Sequence, residues 1–305
     1  MKTSFLDFEQ PIAELEAKID ELLESADYVD HWTLKWSDLL LVNGAKLPQP
    51  AMWSYYQWIR GHVEANTPWD EFVRQLVTAR GSTLDNGAAN YFVLHDDPTL
   101  MAETTTVAFM GLAINCAKCH NHPMEKWTND QYYEFANLFA RVRAKNGPGG
   151  DGDKIIFAAA SGDIPALLSG KPLPPRPLDG QAIAIDSPAD RREMLAKWLT
   201  ARENPYFTRA IVNRVWANFL GVGLVESVDD LRASHPVSFA PVTSTPCSVA
   251  KPRSFEGVIA AKDGRTWYAG AASAAHRPRW SRRRRQPARA ISCRSRRRRS
   301  SRAVR

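Results

Sequence analysis

Between residues 8 and 143, apolar positions recur at helical spacing almost without a break. Ile12, Leu15, Ile19, Leu22 and Leu23 share one face within 8–24, as a 3.6-residue period requires. The same period runs through Tyr28–Val42 until Pro48 and Pro50 interrupt it, and an aromatic-rich helix is predicted over Ala51–Asn66. Thr67 is the predicted cap of the next helix, Pro68 its first residue and Gly81 its stop. After a loop containing DNGAANYF and HDDP, the stretch from Leu100 is predicted to run as helix straight into Cys116. Thr128 or Asn129 then caps a helix that puts Tyr132, Phe135, Leu138 and Phe139 on one stripe.

The period fails between 144 and 187. KNGPGGDGDK reads as a turn, KIIFAAA as a strand and GKPLPPRPLDG as a proline-rich connector. Helical grammar then resumes. Ser187 is the predicted cap, Pro188 the first helical residue, and Asp190 completes the capping pattern. Asn204, Pro205 and Gly221 play cap, first residue and stop for the helix that follows. The fold class expected is mainly α: a helical domain over 21–143, a connector over 144–186 and a partial helical domain over 187–235. A separate start over 1–20 and a basic tail over 236–305 flank them.

Charge changes this picture at one place. Residues 1–235 hold 22 Lys and Arg against 31 Asp and Glu, whereas 236–305 hold 18 against 2. The basic character therefore belongs to the tail alone, and its Arg-rich composition predicts disorder. An RNA-binding arm is one reading of the tail. The stronger one is a reading frame shifted near Ser238, so nucleic acid is not an expected partner of the body. The apolar run VAFMGLAI is far below membrane-spanning length, and the first residues lack the pattern of a secretory signal.

Of the four cysteines, Cys116 and Cys119 stand together in CAKCHNHPMEKW, and Cys247 and Cys293 fall in the tail. Cys116, Cys119 and His120 form C-x-x-C-H, the haem c attachment pattern. Two thiols one turn apart reach both vinyl groups of one haem, and the adjacent imidazole reaches the iron. Met124 and His122 lie too close in sequence to serve the opposite face, which leaves His31, His62 and His95 as distal candidates. The alternative is zinc held by Cys116, Cys119, His120 and His122. A third reading is a thiol pair that only packs or cycles redox state, with His122 hydrogen-bonded and Pro123 turning the chain.

Other groups read as structural. Glu226, Asp229 and Asp230 are expected on a solvated turn, and Arg209, Asn213 and Arg214 to bond loop carbonyls and neighbouring acids. Trp32, Trp36, Trp53, Trp58 and Trp69 are expected in the core. No nucleophile elbow or phosphate loop is present.

The stretch from WTLKWSDLLL to VLHDDP, with FMGLAINCAKCHNHPMEKWTNDQYYEFANLFARV, resembles the planctomycete family carrying domain of unknown function 1549. PRPLDG and DRREMLAKWLTARENPYFTRAIVNRVWANFLGVGLVESVDDLR resemble the start of its companion, domain of unknown function 1553. The resemblance spans roughly 20–235 and implies an exported protein, often beside a cytochrome c domain, with a redox or haem-related role. Its redox partner is then a separate protein, with a cytochrome c domain protein the first candidate. The family's further helical remainder, opening on a pattern like N-P-x-L-L, does not follow DDLRASHPVS, so a truncated second domain is expected. FLDFEQPIAELEAKID resembles instead the amino terminus of the acetyl-CoA carboxylase carboxyltransferase alpha subunit. None of that enzyme's Gly-rich machinery follows, so a chimeric reading frame is expected.

Overall fold

Ser25 separates the first two helices. Its hydroxyl accepts the Tyr28 amide, so α1 (Gln10–Leu23) ends and α2 (Ala26–Leu39) begins where the apolar period predicts. The computed structural model describes residues 10–232, His235, and the backbone of 260–262 and 265–267. The chain is mainly α, as its periodicity predicts. Helix α2 packs on α3 (Gln49–Glu64), which packs on the short α5 (Asn90–Leu94) and touches α4 (Trp69–Val77) through Trp58 and His62 against Phe72. Helix α6 (Pro98–Met110) lies between α7 (Asn129–Ala136) and α9 (Phe207–Leu220), while α8 (Arg191–Leu199) returns to α4. The described residues 10–232 thus form one contiguous unit, with the two helical stretches packed on each other across the connector.

The core is continuous. Tyr55, Ile59, Val73, Leu76, Tyr91, Phe109, Phe135, Phe139, Leu195 and Leu199 are all buried in one cluster. Each large side chain removed from water contributes about 1.5–3 kcal/mol. The predicted stripe Tyr132, Phe135, Leu138 and Phe139 is wholly inside. Trp32 is buried and Trp36, Trp58 and Trp69 half-buried, but Trp53 stands 57% exposed, stacked only on Tyr56. The apolar stripe of α1 is a second departure, because Ile12, Leu15, Ile19 and Leu22 all face solvent.

Strand β1 (Gly81–Ser82) and β2 (Val142–Asn146) flank β3 (Lys154–Ala158) in an antiparallel sheet, with Ile156 opposite both Gly81 and Ala144. KIIFAAA is a strand as expected, but Gly81 is not a helix stop. At φ +94° it opens β1, and α4 has already ended at Val77. Thr67 does not cap α4 either; its hydroxyl is bonded to the His62 ring. Likewise α8 begins at Arg191, not Pro188, because Asp190 takes the Arg192 amide and becomes the cap. Asn204 accepts the amides of Tyr206 and Phe207, but α9 begins at Phe207 with Tyr206 at its N-cap, not at Pro205; Gly221 closes it in the left-handed region as expected. The basic tail lies outside the described residues, apart from β4 (Ala260–Lys262) and β5 (Arg265–Trp267), which pair antiparallel. Among the described residues no helix is long and apolar enough to cross a membrane.

One charged residue is wholly interior. Arg192 is fully buried, with Asp190 at 2.7 Å, the Ala79 carbonyl at 2.7 Å and the Phe92 ring beneath its guanidinium. Burial alone would raise the Asp190 carboxyl, but the bonds from Arg192 outweigh it and hold the group below its usual range. With the folded value depressed, its stabilisation is present at neutral pH and is lost as acid protonates it. Asp190→Asn strands the guanidinium without its counter-charge and is expected to cost about 3–5 kcal/mol. Urea denaturation checks this; a loss near zero would show that carbonyls alone hold Arg192.

Candidate functional site

Helix α6 does not run into the cysteines. Gly111 ends it at φ +59°, and its carbonyl accepts the Leu231 amide at 2.6 Å. A Cβ at Gly111 would meet Leu231 Cγ at 2.8 Å, so only glycine fits this crossing. Asn115–Lys118 then form a single 3-10 turn that closes at Cys119. Side chains three apart eclipse in such a turn, which puts Cys116 and Cys119 on one side. Both are exposed and free.

Between them Ala117 is fully buried and anchors the turn. The carbonyls of Ala117 and Lys118 both accept from Asn129 Nδ2 at 2.9 Å, and the Tyr133 hydroxyl reaches the second. Asn129 also donates its amide to Asn121 Oδ1 at 3.0 Å. Asn129 is held in turn by the first turn of α7, where Thr128 and Gln131 form a reciprocal capping box. The carbonyls that a 3-10 turn leaves open are therefore satisfied from α7, and the thiols are left to solvent.

The two imidazoles are set in opposite senses. His120 is exposed, and its Nδ1 lies 2.7 Å from the Asn121 carbonyl. A carbonyl only accepts, so Nδ1 carries the proton and Nε2 keeps a free lone pair. His122 is buried, and its Nδ1 accepts the amides of Met124 at 3.2 Å and Glu125 at 3.0 Å. Its own amide donates to the Trp127 carbonyl at 2.7 Å. The ring proton of His122 therefore sits on Nε2, a buried atom without a partner. With no ring lone pair left free, His122 shapes the loop around exposed Pro123 and is not presented as a ligand.

Of the four residues in the zinc reading, Cys116, Cys119 and His120 are exposed, whereas His122 is buried with its Nδ1 engaged by backbone amides. Among the described residues, no three His, Cys, Asp or Glu side chains group as a metal site. The distal candidates are not gathered at the turn either. His31 is exposed on α2 against Trp32; His62 packs on Trp58 and Phe72; His95 is buried against Tyr91.

Several neighbours had no signature in the sequence. The Tyr133 phenol is raised by burial and, secondarily, by the charge of Cys119. Arg232, bonded to Asp230, lies within the electrostatic reach of Glu125 and Cys116. Asp230 is thus a buried anchor where a solvated turn was expected, and Asp229 pairs with Arg214 at 2.7 Å. Asn213 bonds a loop group as expected, exchanging two bonds with Val225, whereas the carbonyl that Arg214 reaches, Val107, lies in α6. Beside the turn opens a groove of about 670 Å³ whose wall includes Trp36, Leu39, Val107, Ile114, Asn115 and Arg214.

Residues 2–144 match the profile described as a protein of unknown function, DUF1549 (PSCyt2). Over this stretch the chain is similar to that family. A short second match, to the protein of unknown function DUF1553 (PSD1), covers 191–239. The DUF1549 match takes in the first 20 residues, where the carboxyltransferase resemblance lies, and the whole of the cysteine–histidine loop. Leu231, which bonds Gly111 at the end of α6, and Arg232, within electrostatic reach of the loop, come from the DUF1553 segment. No curated protein and no solved structure matches the chain.

The ring acceptor of His122 is testable apart from any ligand. His122→Ala leaves two amides without their acceptor and is expected to cost about 1–3 kcal/mol. His122→Asn offers an oxygen to the same amides and is expected to recover most of that in chemical denaturation. Equal stability of the alanine variant and the native chain would show that the ring only fills space.

His95 makes a pH prediction. Burial, with Lys46 acting the same way and Asp96 against, lowers its ring to about 4. Below pH 6.5 the unfolded chain takes up a proton that the folded ring refuses. About 3 kcal/mol is therefore lost between pH 6.5 and 4. His95→Gln should flatten that part of the stability profile; a slope unchanged by the substitution would place the proton uptake elsewhere.

Proposed function

We propose that the turn from Cys116 to His120 carries covalently bound haem c, and that the protein transfers electrons outside the cytoplasm. The observation that carries this reading is the His120 tautomer. Its Nδ1–H is engaged by the Asn121 carbonyl, leaving Nε2 as a free donor on the same exposed turn as two free thiols. Metal-bound histidines characteristically donate their second ring N–H to such an acceptor, which fixes the ring and raises its basicity.

The residues fit the group. Cys116 and Cys119 would each add S–H across one vinyl group, with the thiol hydrogen passing to the other vinyl carbon, and His120 Nε2 would hold the iron. Bound haem would supply one-electron chemistry at the surface. The remaining work falls to the chain itself. Asn129 fixes the turn so that both sulfurs stay on one side, and buried His122 holds the following loop clear of them. Apolar groove residues Trp36, Leu39 and Ile114 adjoin the turn at Asn115. An exposed site also suits a separate redox protein as partner, with a cytochrome c domain protein the first candidate.

The test is expression with export and a cytochrome c maturation system, followed by a denaturing gel stained for haem. Colour surviving denaturation is expected, together with a Soret band, and both are lost in the Cys116→Ala/Cys119→Ala double variant. His122→Asn, which leaves the attachment residues intact, should keep the colour. Matured protein that is folded and colourless would overturn the reading. Stoichiometric zinc in that colourless protein would favour a metal-binding scaffold instead.

A further inference from the structure

A second site lies at the far end of α7, independent of the cysteines. A cavity of about 230 Å³ opens between Leu138, Val142, Ala159 and Pro188, with Arg141 and Arg191 in its wall. Its volume is that of about seven or eight waters at liquid density, more than one bridging molecule would need. Both arginines are more than nine-tenths buried.

Their donors are only partly used. Arg141 gives its terminal nitrogens to the carbonyls of Ser187 and Ile185, and Arg191 gives its own to Asn137 and the same Ile185 carbonyl. The Nε of each is buried and has no partner. Two guanidiniums thus converge on one carbonyl with two N–H donors left over.

The charge balance is also open. Asp163 is the single carboxylate serving both, at 2.6 Å from Arg191 and 3.9 Å from Arg141. Asp190, which also lines the cavity, is already committed to Arg192 and to the cap of α8. Three buried guanidiniums therefore face two carboxylates. Burial pulls the Arg191 guanidinium down, and the Arg141 charge adds to that effect. A buried positive charge without an anion is costly, and the cavity adjoins the positive end of α8.

We propose that this cavity binds a small oxyanion, accepted by Arg141 and Arg191 at the amino end of α8. Arg141 comes from the stretch matched to DUF1549 and Arg191 from that matched to DUF1553, so the anion would clasp the two matched segments together.

Inorganic phosphate is titrated into the full chain at constant ionic strength, with binding heat and melting temperature as readouts. Saturable binding at one site is expected, with a melting temperature that rises and levels off. Arg141→Lys keeps the charge and replaces the guanidinium fork with a single ammonium. It should fold and bind phosphate about tenfold or more weakly, the worth of one charge-assisted hydrogen bond. Acetate run as a second arm sorts the ligand class. Competition with phosphate assigns carboxylates as well, and its absence assigns tetrahedral anions alone. Folded protein showing no saturable heat would overturn the proposal. So would the unsaturating rise in melting temperature that any excluded salt produces, or a folded Arg141→Lys that binds as well as the native chain. Should Arg191→Gln fail to fold, the Arg141→Lys comparison alone decides. Neither readout depends on haem.

Discussion

A proline-rich chain carries more carbonyls than amides, and those carbonyls must find donors somewhere. That constraint governs how this molecule is assembled. Between 164 and 188 the chain holds Pro165, Pro172, Pro174, Pro175, Pro177 and Pro188, and it forms neither helix nor a strand of the sheet. It is fixed instead by side-chain donors from elsewhere. Asn137 gives its amide to the Leu173 carbonyl at 2.6 Å, Arg141 reaches Ile185 and Ser187, and Arg191 reaches Ile185. Arg176 returns the favour toward Glu134 on α7 at 2.5 Å. What the composition suggests is a loose connector is thereby tied down over its whole length. The helices on either side are locked to one another through it.

The same bookkeeping of open carbonyls explains the cysteine turn. A single 3-10 turn is too short to satisfy its own last carbonyls. Asn129 supplies two bonds and Tyr133 a third, all from α7. Because the polar demands of the backbone are met from beneath, the side chains above are released from structural duty. Ala117 goes down into the core while Cys116, Cys119 and His120 stay out. A turn made in this way presents reactive groups without giving up stability. His122, two residues from His120, meets two further amides and is consumed by that role.

How much of this was readable beforehand follows from the range of each interaction. Helix existence depends on local periodicity, and α1 to α3, α7 and α9 stand close to where the apolar spacing places them. Ends depend on which neighbour reaches an open group first, and there local rules failed. Thr67 turned to His62, Asp190 displaced Ser187 as the cap of α8, and Gly111 stopped α6 where Leu231 crosses it, 120 residues later. No window of sequence around Gly111 contains Leu231. The cysteine–histidine motif was legible as a pattern, since its three residues fall within five positions of the chain. What divides His120 from His122 was not, because it rests on which backbone group each Nδ1 meets. Arg141 and Arg191 were silent for the same reason: nothing in either neighbourhood says that the two share one carbonyl.

Helix α7 links these separate themes. Its first residue, Asn129, holds the cysteine turn, and the residue that caps its end, Asn137, donates to the connector and accepts from Arg191. Eight helical residues make a strut of about 12 Å, and its buried face, Tyr132, Phe135 and Ala136, leaves it no freedom to rotate in the core. The two ends of the strut therefore keep a fixed separation, and so do the exposed thiols and the buried arginines that they position. A change at Asn137 that loosened the connector would be felt by Asn129 only through displacement of the whole helix. The packing of Phe135 and Phe139 opposes that displacement. On this argument the turn and the arginine cavity are mechanically independent so long as α7 stays seated, and they fail together when it does not.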